Sequence, residues 1–293
     1  MKKLLLFLYL TISFSAYSQK IENFDLKKFR VATLPAELRE TSGLAFYKGE
    51  LITINDSGNS SEIFVMDKRN GAVKSRIKLP LRNYDWEAIS TDSTSIFVAD
   101  FGNNAGNRKD LQIHKISLPV DSSSIKSINF FYPEQTDFAV RFGAHDFDAE
   151  ALIIKDGKLN VFTKEWASRG VKRYILNDEA ELQPAQKIEE FSIGFMVTDA
   201  AYFRQKLYFV GYTKKLEVFM AIFDEDDKGL FFNTLPKKYF LGESTILGQI
   251  EGIAVNDEGI YISGEEFNAR LFKVPQSFYF IPHEKFPGSI SAE

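Results

Sequence analysis

An all-β chain whose strands close into a ring of five similar units is predicted by three observations. A short phrase recurs five times, each copy opening an apolar strand: Ser42-Gly43-Leu44-Ala45, Glu87-Ala88-Ile89-Ser90, Glu150-Ala151-Leu152-Ile153, Asp199-Ala200-Ala201-Tyr202 and Glu251-Gly252-Ile253-Ala254. The copies start 45, 63, 49 and 52 residues apart, a spacing that signals a repeat architecture. Each copy is followed by further short apolar segments separated by tight polar turns, the pattern of antiparallel strands. Four strands recurring about every 50 residues is the arithmetic of a β-propeller blade.

The first two strands of the units are Leu44–Tyr47 with Leu51–Ile54, Ala88–Ser90 with Ile96–Ala99, and Ala151–Ile154 with Leu159–Phe162. Ala201–Phe203 with Leu207–Val210 and Ile253–Val255 with Ile260–Ser263 complete the set. Their turns include Lys48-Gly49 and Asp156-Gly157, which supply the positive φ that two-residue hairpins require. Third strands are read at Glu62–Met66, Leu111–Ile116, Val171–Ile175, Val218–Phe223 and Arg270–Val274. Fourth strands follow at Ala72–Lys78, Ser127–Tyr132, Gln186–Phe191 and Leu230–Phe240, and Asp178–Ala185 is the one weak helical candidate. The fifth unit stops early, leaving only a tail with Phe and Pro. Phe29–Leu34, before the first phrase, is expected to supply its missing outer strand and close the ring, removing exposed sheet edges. Five blades account for the count; six is the alternative if the 63-residue interval holds a degenerate unit. A two-sheet sandwich also yields many short strands but does not predict five copies of one phrase.

Residues 1–19 have the layout of a secretory signal: Lys2 and Lys3, an apolar run from Leu4 to Leu10, then small residues before Gln19. The run falls short of the roughly 20 residues of a membrane span, so none is expected after signal removal. Residues 20–293 are read as a single propeller domain. The chain has no cysteine, which leaves neither a lipid-attachment cysteine nor a disulfide, and a secreted or periplasmic location is expected. A net charge of −4 gives no electrostatic footprint for nucleic acid. The 28 Phe and 12 Tyr suit strand packing, so core burial must stabilise the fold.

First strands line the channel of a propeller, and Gly or Ala at positions 43, 88, 151, 200 and 252 suits the crowding there. The polar residues just before these positions, with those two places further back, put Glu40, Asp85, Glu87, Asp148, Glu150, Asp199 and Glu251 at one mouth. Second strands end on the same face, where Asn55-Asp56-Ser57-Gly58, Asp100-Phe101-Gly102-Asn103-Asn104 and Glu265-Glu266 add Asp56 and Asp100. So many carboxylates repel one another unless protons or cations neutralise them. Oxygen ligands without sulfur favour Ca²⁺ or Mg²⁺, and calcium accepts a ring of carboxylates most readily. The competing reading is that the acids accept hydrogen bonds from neighbouring blades; no contiguous calcium loop is present. His145 is a candidate proton carrier at the mouth, and Arg108, with Asn103 and Asn104, a candidate holder of an anionic ligand. His114, inside an alternating strand, reads as structural, and Trp86 and Trp166 as core unless they offer stacking surfaces. A serine-nucleophile elbow, a phosphate loop and a dinucleotide fingerprint are all missing from the sequence.

Glu40-Thr41-Ser42-Gly43-Leu44, Asn55-Asp56-Ser57-Gly58, Asp85-Trp86-Glu87-Ala88-Ile89, Asp100-Phe101-Gly102-Asn103-Asn104 with Arg108, and Asp148-Ala149-Glu150-Ala151-Leu152 occur in this order. Together they resemble secreted bacterial β-propellers of the SdiA-regulated (YjiK-like) and esterase-like phytase groups, from Glu40 to about Phe162. The resemblance implies a calcium-associated propeller in the periplasm or outside the cell, and one group's name implies phosphoesterase activity. The expectation is thus a divalent-cation-binding propeller that holds an extracellular ligand. Its rivals are a metal-dependent phosphoesterase and a scaffold that binds protein or glycan.

Overall fold

The computed structural model describes residues 20–121, 124–179, 182–269 and 272–287, and the signal segment 1–19 lies outside them. Blade 1 comprises Thr41–Tyr47, Glu50–Asn55, Glu62–Met66 and Val73–Lys78. Blade 2 comprises Trp86–Thr91, Ser95–Asp100, Leu111–Ser117 and Ile125–Phe131. Blade 3 is built from Asp148–Lys155, Lys158–Lys164, Val171–Asn177 and Gln186–Phe191, and blade 4 from Met196–Phe203, Lys206–Tyr212, Glu217–Asp224 and Lys237–Glu243. Within each blade successive strands pair antiparallel, and each first strand packs against that of the next blade, the fifth against the first. The fold is therefore a five-bladed β-propeller.

Blade 5 closes the ring as expected. Gln249–Val255, Gly259–Glu265 and Ser277–Pro282 are joined at the outer edge by Arg30–Thr33, with Ala32 opposite Phe278 and Thr33 opposite Ser277. The preceding residues Ile21–Asn23 run parallel to the outer strand of blade 4, so one N-terminal strap spans both blades. Leu26 between the two attachments is fully buried, and Phe24 stacks on Phe29 at 5.1 Å.

Three expectations are corrected. The third strand of blade 5 is Ser277–Pro282, not Arg270–Val274. Phe267–Ala269 and Phe272–Val274 pair only with each other in a separate hairpin, whereas Phe278, Tyr279 and Ile281 of the tail are buried. Arg270 itself is outside the described residues. The outer strand of blade 4 starts only at Lys237, because Phe231 and Phe232 donate their N–H groups to Glu189 of blade 3 instead of joining a ladder. Among the described residues of Asp178–Ala185 there is no helix; Leu182–Pro184 forms a strand parallel to the outer strand of blade 2. The described residues of the long second interval form no sixth blade, in keeping with five, since residues 133–147 are a strandless connection at the mouth end.

Five apolar clusters hold the ring together, one between each pair of neighbouring blades. Phenylalanine dominates the cluster between blades 3 and 4, where Phe162 meets Phe209 edge-on at 4.9 Å. The hairpin turns follow the sequence: Lys48 and Gly49 have φ of 50° and 83°, Asp156 and Gly157 of 51° and 70°.

Candidate cation site at the channel mouth

Every first strand carries a β-bulge at the same level. Its ladder to the second strand skips one residue between Ser42 and Leu44, Trp86 and Ala88, Ala149 and Ala151, Val197 and Asp199, and Ile250 and Gly252. The bulged residues are thus Gly43, Glu87, Glu150, Thr198 and Glu251. A bulge adds an unpaired residue and re-aims its side chain, which is why such irregularities recur beside binding sites. Here three glutamates from three blades line one cavity of about 370 Å³. Gly43 carries no side chain because an added Cβ would lie 2.8 Å from the backbone of Ile89, and its φ is +71°.

The second strands deliver the rest of the lining. They end at Asn55, Asp100, Lys164, Tyr212 and Glu265. Lys164, Tyr212 and Glu265 face the same cavity as the three glutamates, and so does Asp56, one residue beyond its strand.

Asp56, Asp85 and Glu87 each place a carboxylate oxygen within 4.8 Å of the others. Gly102 makes room for them: a Cβ there would stand 2.4 Å from Glu87 Oε1 and 2.5 Å from Asp85 Oδ2. The set offers hard oxygen donors without sulfur or imidazole, which fits Ca²⁺ or Mg²⁺. Burial, then the charge of Asp56, pushes the Asp85 carboxyl up to about 7. Burial and the charges of Asp56 and Glu150 push Glu87 well above the usual carboxylate range. Burial also raises Asp56. Glu251 is pushed up to about 7, by burial first, with Lys164 opposing it. A bound cation is the ordinary remedy for such crowding.

Other predicted residues are engaged within the protein. Asp199 is fully buried and its carboxylate accepts N–H groups of Ala200 at 2.8 Å, of Ile253 in blade 5 at 2.7 Å and of Leu44 in blade 1 at 3.2 Å. It is a strut inside the channel. Asp148 accepts from the backbone of Asn103 at 2.6 Å and from Trp166 Nε1 at 2.8 Å, tying the blade 2 loop to blade 3. Asp100, also fully buried, pairs with Arg108 at 3.0 Å and accepts the N–H of Tyr84. Arg108 donates further to the carbonyl of Gly102 and to Asp110, and so organises its own loop. Asn103 donates to Phe147 and accepts the N–H of Arg108. His145 accepts the N–H of Phe147 at Nδ1, and its Nε2 meets the carbonyl of Asn104 at 3.1 Å, which places the ring proton on Nε2. Asn104 lines the cavity, while Glu40 stands at the rim, where its carboxylate accepts from Asn59.

Lys164 and Tyr212 were not singled out by sequence. Lys164 forms a salt bridge with Glu150, and its ammonium lies 4.8 Å from the centre of the Trp166 ring and 5.4 Å from that of Tyr212. Burial pulls its pKa down, but Glu150 and the other carboxylates prevail and hold it well above the ordinary value. Their common position at the end of the second strand was the available signal.

No family model matches the chain, and no curated protein matches it. Solved structures do. The PQQ-bound form of aldose sugar dehydrogenase from Streptomyces coelicolor aligns over 86% of this chain and 96% of its own, with 11% identity and a TM-score of 0.48. U3-55K aligns over 83% and 67% with 11% identity and a TM-score of 0.42, and the WD40 repeats of RRP9 over 83% and 67% with 12% identity and a TM-score of 0.41. At these identities the likeness concerns the chain path and assigns nothing to the mouth. The protein is defined by its own coordinates as a five-bladed propeller with an acidic mouth.

Proposed function

We propose that this is a secreted or periplasmic propeller that binds a divalent cation, calcium in preference to magnesium, and holds an extracellular ligand in the cavity beside it. The observation that carries the reading is the meeting of Asp56, Asp85 and Glu87 within 4.8 Å, from two blades, against a glycine that leaves them space. Cation binding offsets the repulsion that raises these carboxyls. The signal-like N-terminus supports export, and the ordered motifs from Glu40 to Asp148 support kinship with the SdiA-regulated (YjiK-like) and esterase-like phytase propellers. Calorimetric titration with Ca²⁺ and Mg²⁺ tests it. Asp85→Asn and Glu87→Gln are expected to weaken Ca²⁺ binding at least about tenfold each, about 1.4 kcal/mol. Binding equally weak in the native chain and both variants would remove the proposal.

A metal-dependent phosphoesterase is the second reading, in which the ion positions phosphate and activates water. The cavity of about 370 Å³ that Asp56 and Glu87 line favours it, because it gives a phosphate group room beside such an ion. Turnover of phosphomonoesters or diesters that needs Ca²⁺ and disappears in Asp85→Asn would replace the binding reading; absence of turnover leaves binding alone.

A further inference from the structure

Among the described residues lining the cavity, five are carboxylates and Lys164 is the only cation. We infer that the mouth contains a second cation position, built by the bulged Glu150 and Glu251 with the ring of Trp166 and the hydroxyl of Tyr212. The ammonium of Lys164 fills it and thereby limits the mouth to one divalent ion. The inference rests on the cation reading above and adds what sets its stoichiometry.

Lys164 is held as a bound cation would be. Its side chain is 4% exposed, its Nζ pairs with Glu150 Oε1, and it donates to the Tyr212 hydroxyl at 3.4 Å. The face of the Trp166 ring closes one further side, the contact by which aromatic rings attract ammonium groups, and Tyr212 contributes its hydroxyl edge. The charges of both bulged glutamates act on the lysine, and Gln249 donates to Glu265 beside them. Acceptor capacity is left over: Glu150 Oε2 is buried and has no hydrogen-bond partner, although Glu150 is only 3% exposed. The ammonium of Lys164 uses one oxygen of that carboxylate, which leaves the other available to a Ca²⁺ ion bound in bidentate fashion. The charge of Lys164 also acts on Asp56 and Glu265, so its removal leaves the cavity carboxylates without a cation of their own. The corresponding strand ends in the other blades are Asn55, Asp100, Tyr212 and Glu265, so the tethered positive charge is peculiar to blade 3.

Calorimetric titration of the purified chain with Ca²⁺ reads the stoichiometry. The native protein is expected to bind one equivalent and Lys164→Met two. One equivalent of native affinity in Lys164→Met overturns the inference. Glu150→Gln combined with Lys164→Met removes both charges of the pair and keeps the fold testable. It is expected to bind one equivalent, and a second equivalent there also overturns the inference, because Glu150 would not be the ligand. Should the native chain bind no Ca²⁺, the cation reading fails by itself. The second position is then read from melting of Lys164→Ala, which propylammonium is expected to stabilise and tetramethylammonium not. Equal shifts with both ions reject the position.

Discussion

Replacing Asp199 with alanine separates a strut from a ligand. Three backbone N–H groups, of Leu44, Ala200 and Ile253, converge on this carboxylate from blades 1, 4 and 5, at 2.7–3.2 Å. Alanine leaves all three buried and unpaired. At roughly 1–3 kcal/mol for each orphaned donor, the loss is about 3–9 kcal/mol, against a total stability of about 5–15 kcal/mol. A domain of this size loses about 2–4 °C of melting temperature per kcal/mol, so a fall of at least about 6 °C is expected. Asp199→Asn keeps one acceptor oxygen and is expected to cost about 1–3 kcal/mol. Melting by circular dichroism and urea unfolding measure both variants, and calorimetry measures Ca²⁺ affinity in parallel. Melting of Asp199→Ala within about 2 °C of the native protein, with Ca²⁺ affinity reduced tenfold, refutes the strut and makes Asp199 a ligand.

The acidic mouth gives the cation-free protein an inverted pH response. Glu251 is raised from 4.5 to about 7, so between those values the unfolded chain has released a proton that the folded chain retains, and stability falls as pH rises. The loss from this group approaches about 3 kcal/mol above pH 7, and urea unfolding in chelator should show it; a rise over that window contradicts the sign. Gly102→Ala places a methyl where the Asp85 and Glu87 oxygens lie, and these flexible side-chain ends move aside. Calorimetry is expected to show Ca²⁺ binding weakened at least about tenfold with the melting temperature nearly unchanged; native affinity would mean the three carboxylates do not act together. Removing residues 20–34 strips the outer strand from blade 5 and the buried Leu26 and Leu34, each worth about 1.5–3 kcal/mol. Melting is expected to fall sharply, with aggregation through the bared edge in light scattering, and a truncated chain that melts like the native one would show that the strap does not close the ring.

Alternation of apolar and polar residues exposes the blades to a reader of the sequence because burial of one strand face obeys a period of two. The destination of polar residues at the mouth obeys a single bulged residue, and that is invisible to the same period. Aligning the five phrases on their small residue puts Glu87, Glu150 and Glu251 on the bulge, but in blade 4 it selects Asp199, whereas the bulge falls on Thr198. One place along a strand turns a side chain to the opposite face, which carries Asp199 out of the mouth and onto the backbones of blades 1 and 5. Lys164 and Tyr212 escaped for the converse reason. They occupy a repeat position whose geometry is constant but whose chemistry changes from Asn55 to Asp100 to Glu265, so no recurring residue type marks it. In blade 5 a Phe-containing segment ahead of the tail mimicked a third strand, yet Phe267–Ala269 and Phe272–Val274 satisfy each other, and only Ser277–Pro282 aligns with Gly259–Glu265. Apolar period therefore reveals which segments are strands, while partner choice and bulge register, both set by contacts between blades, decide which carboxylates become struts and which remain to line the mouth cavity.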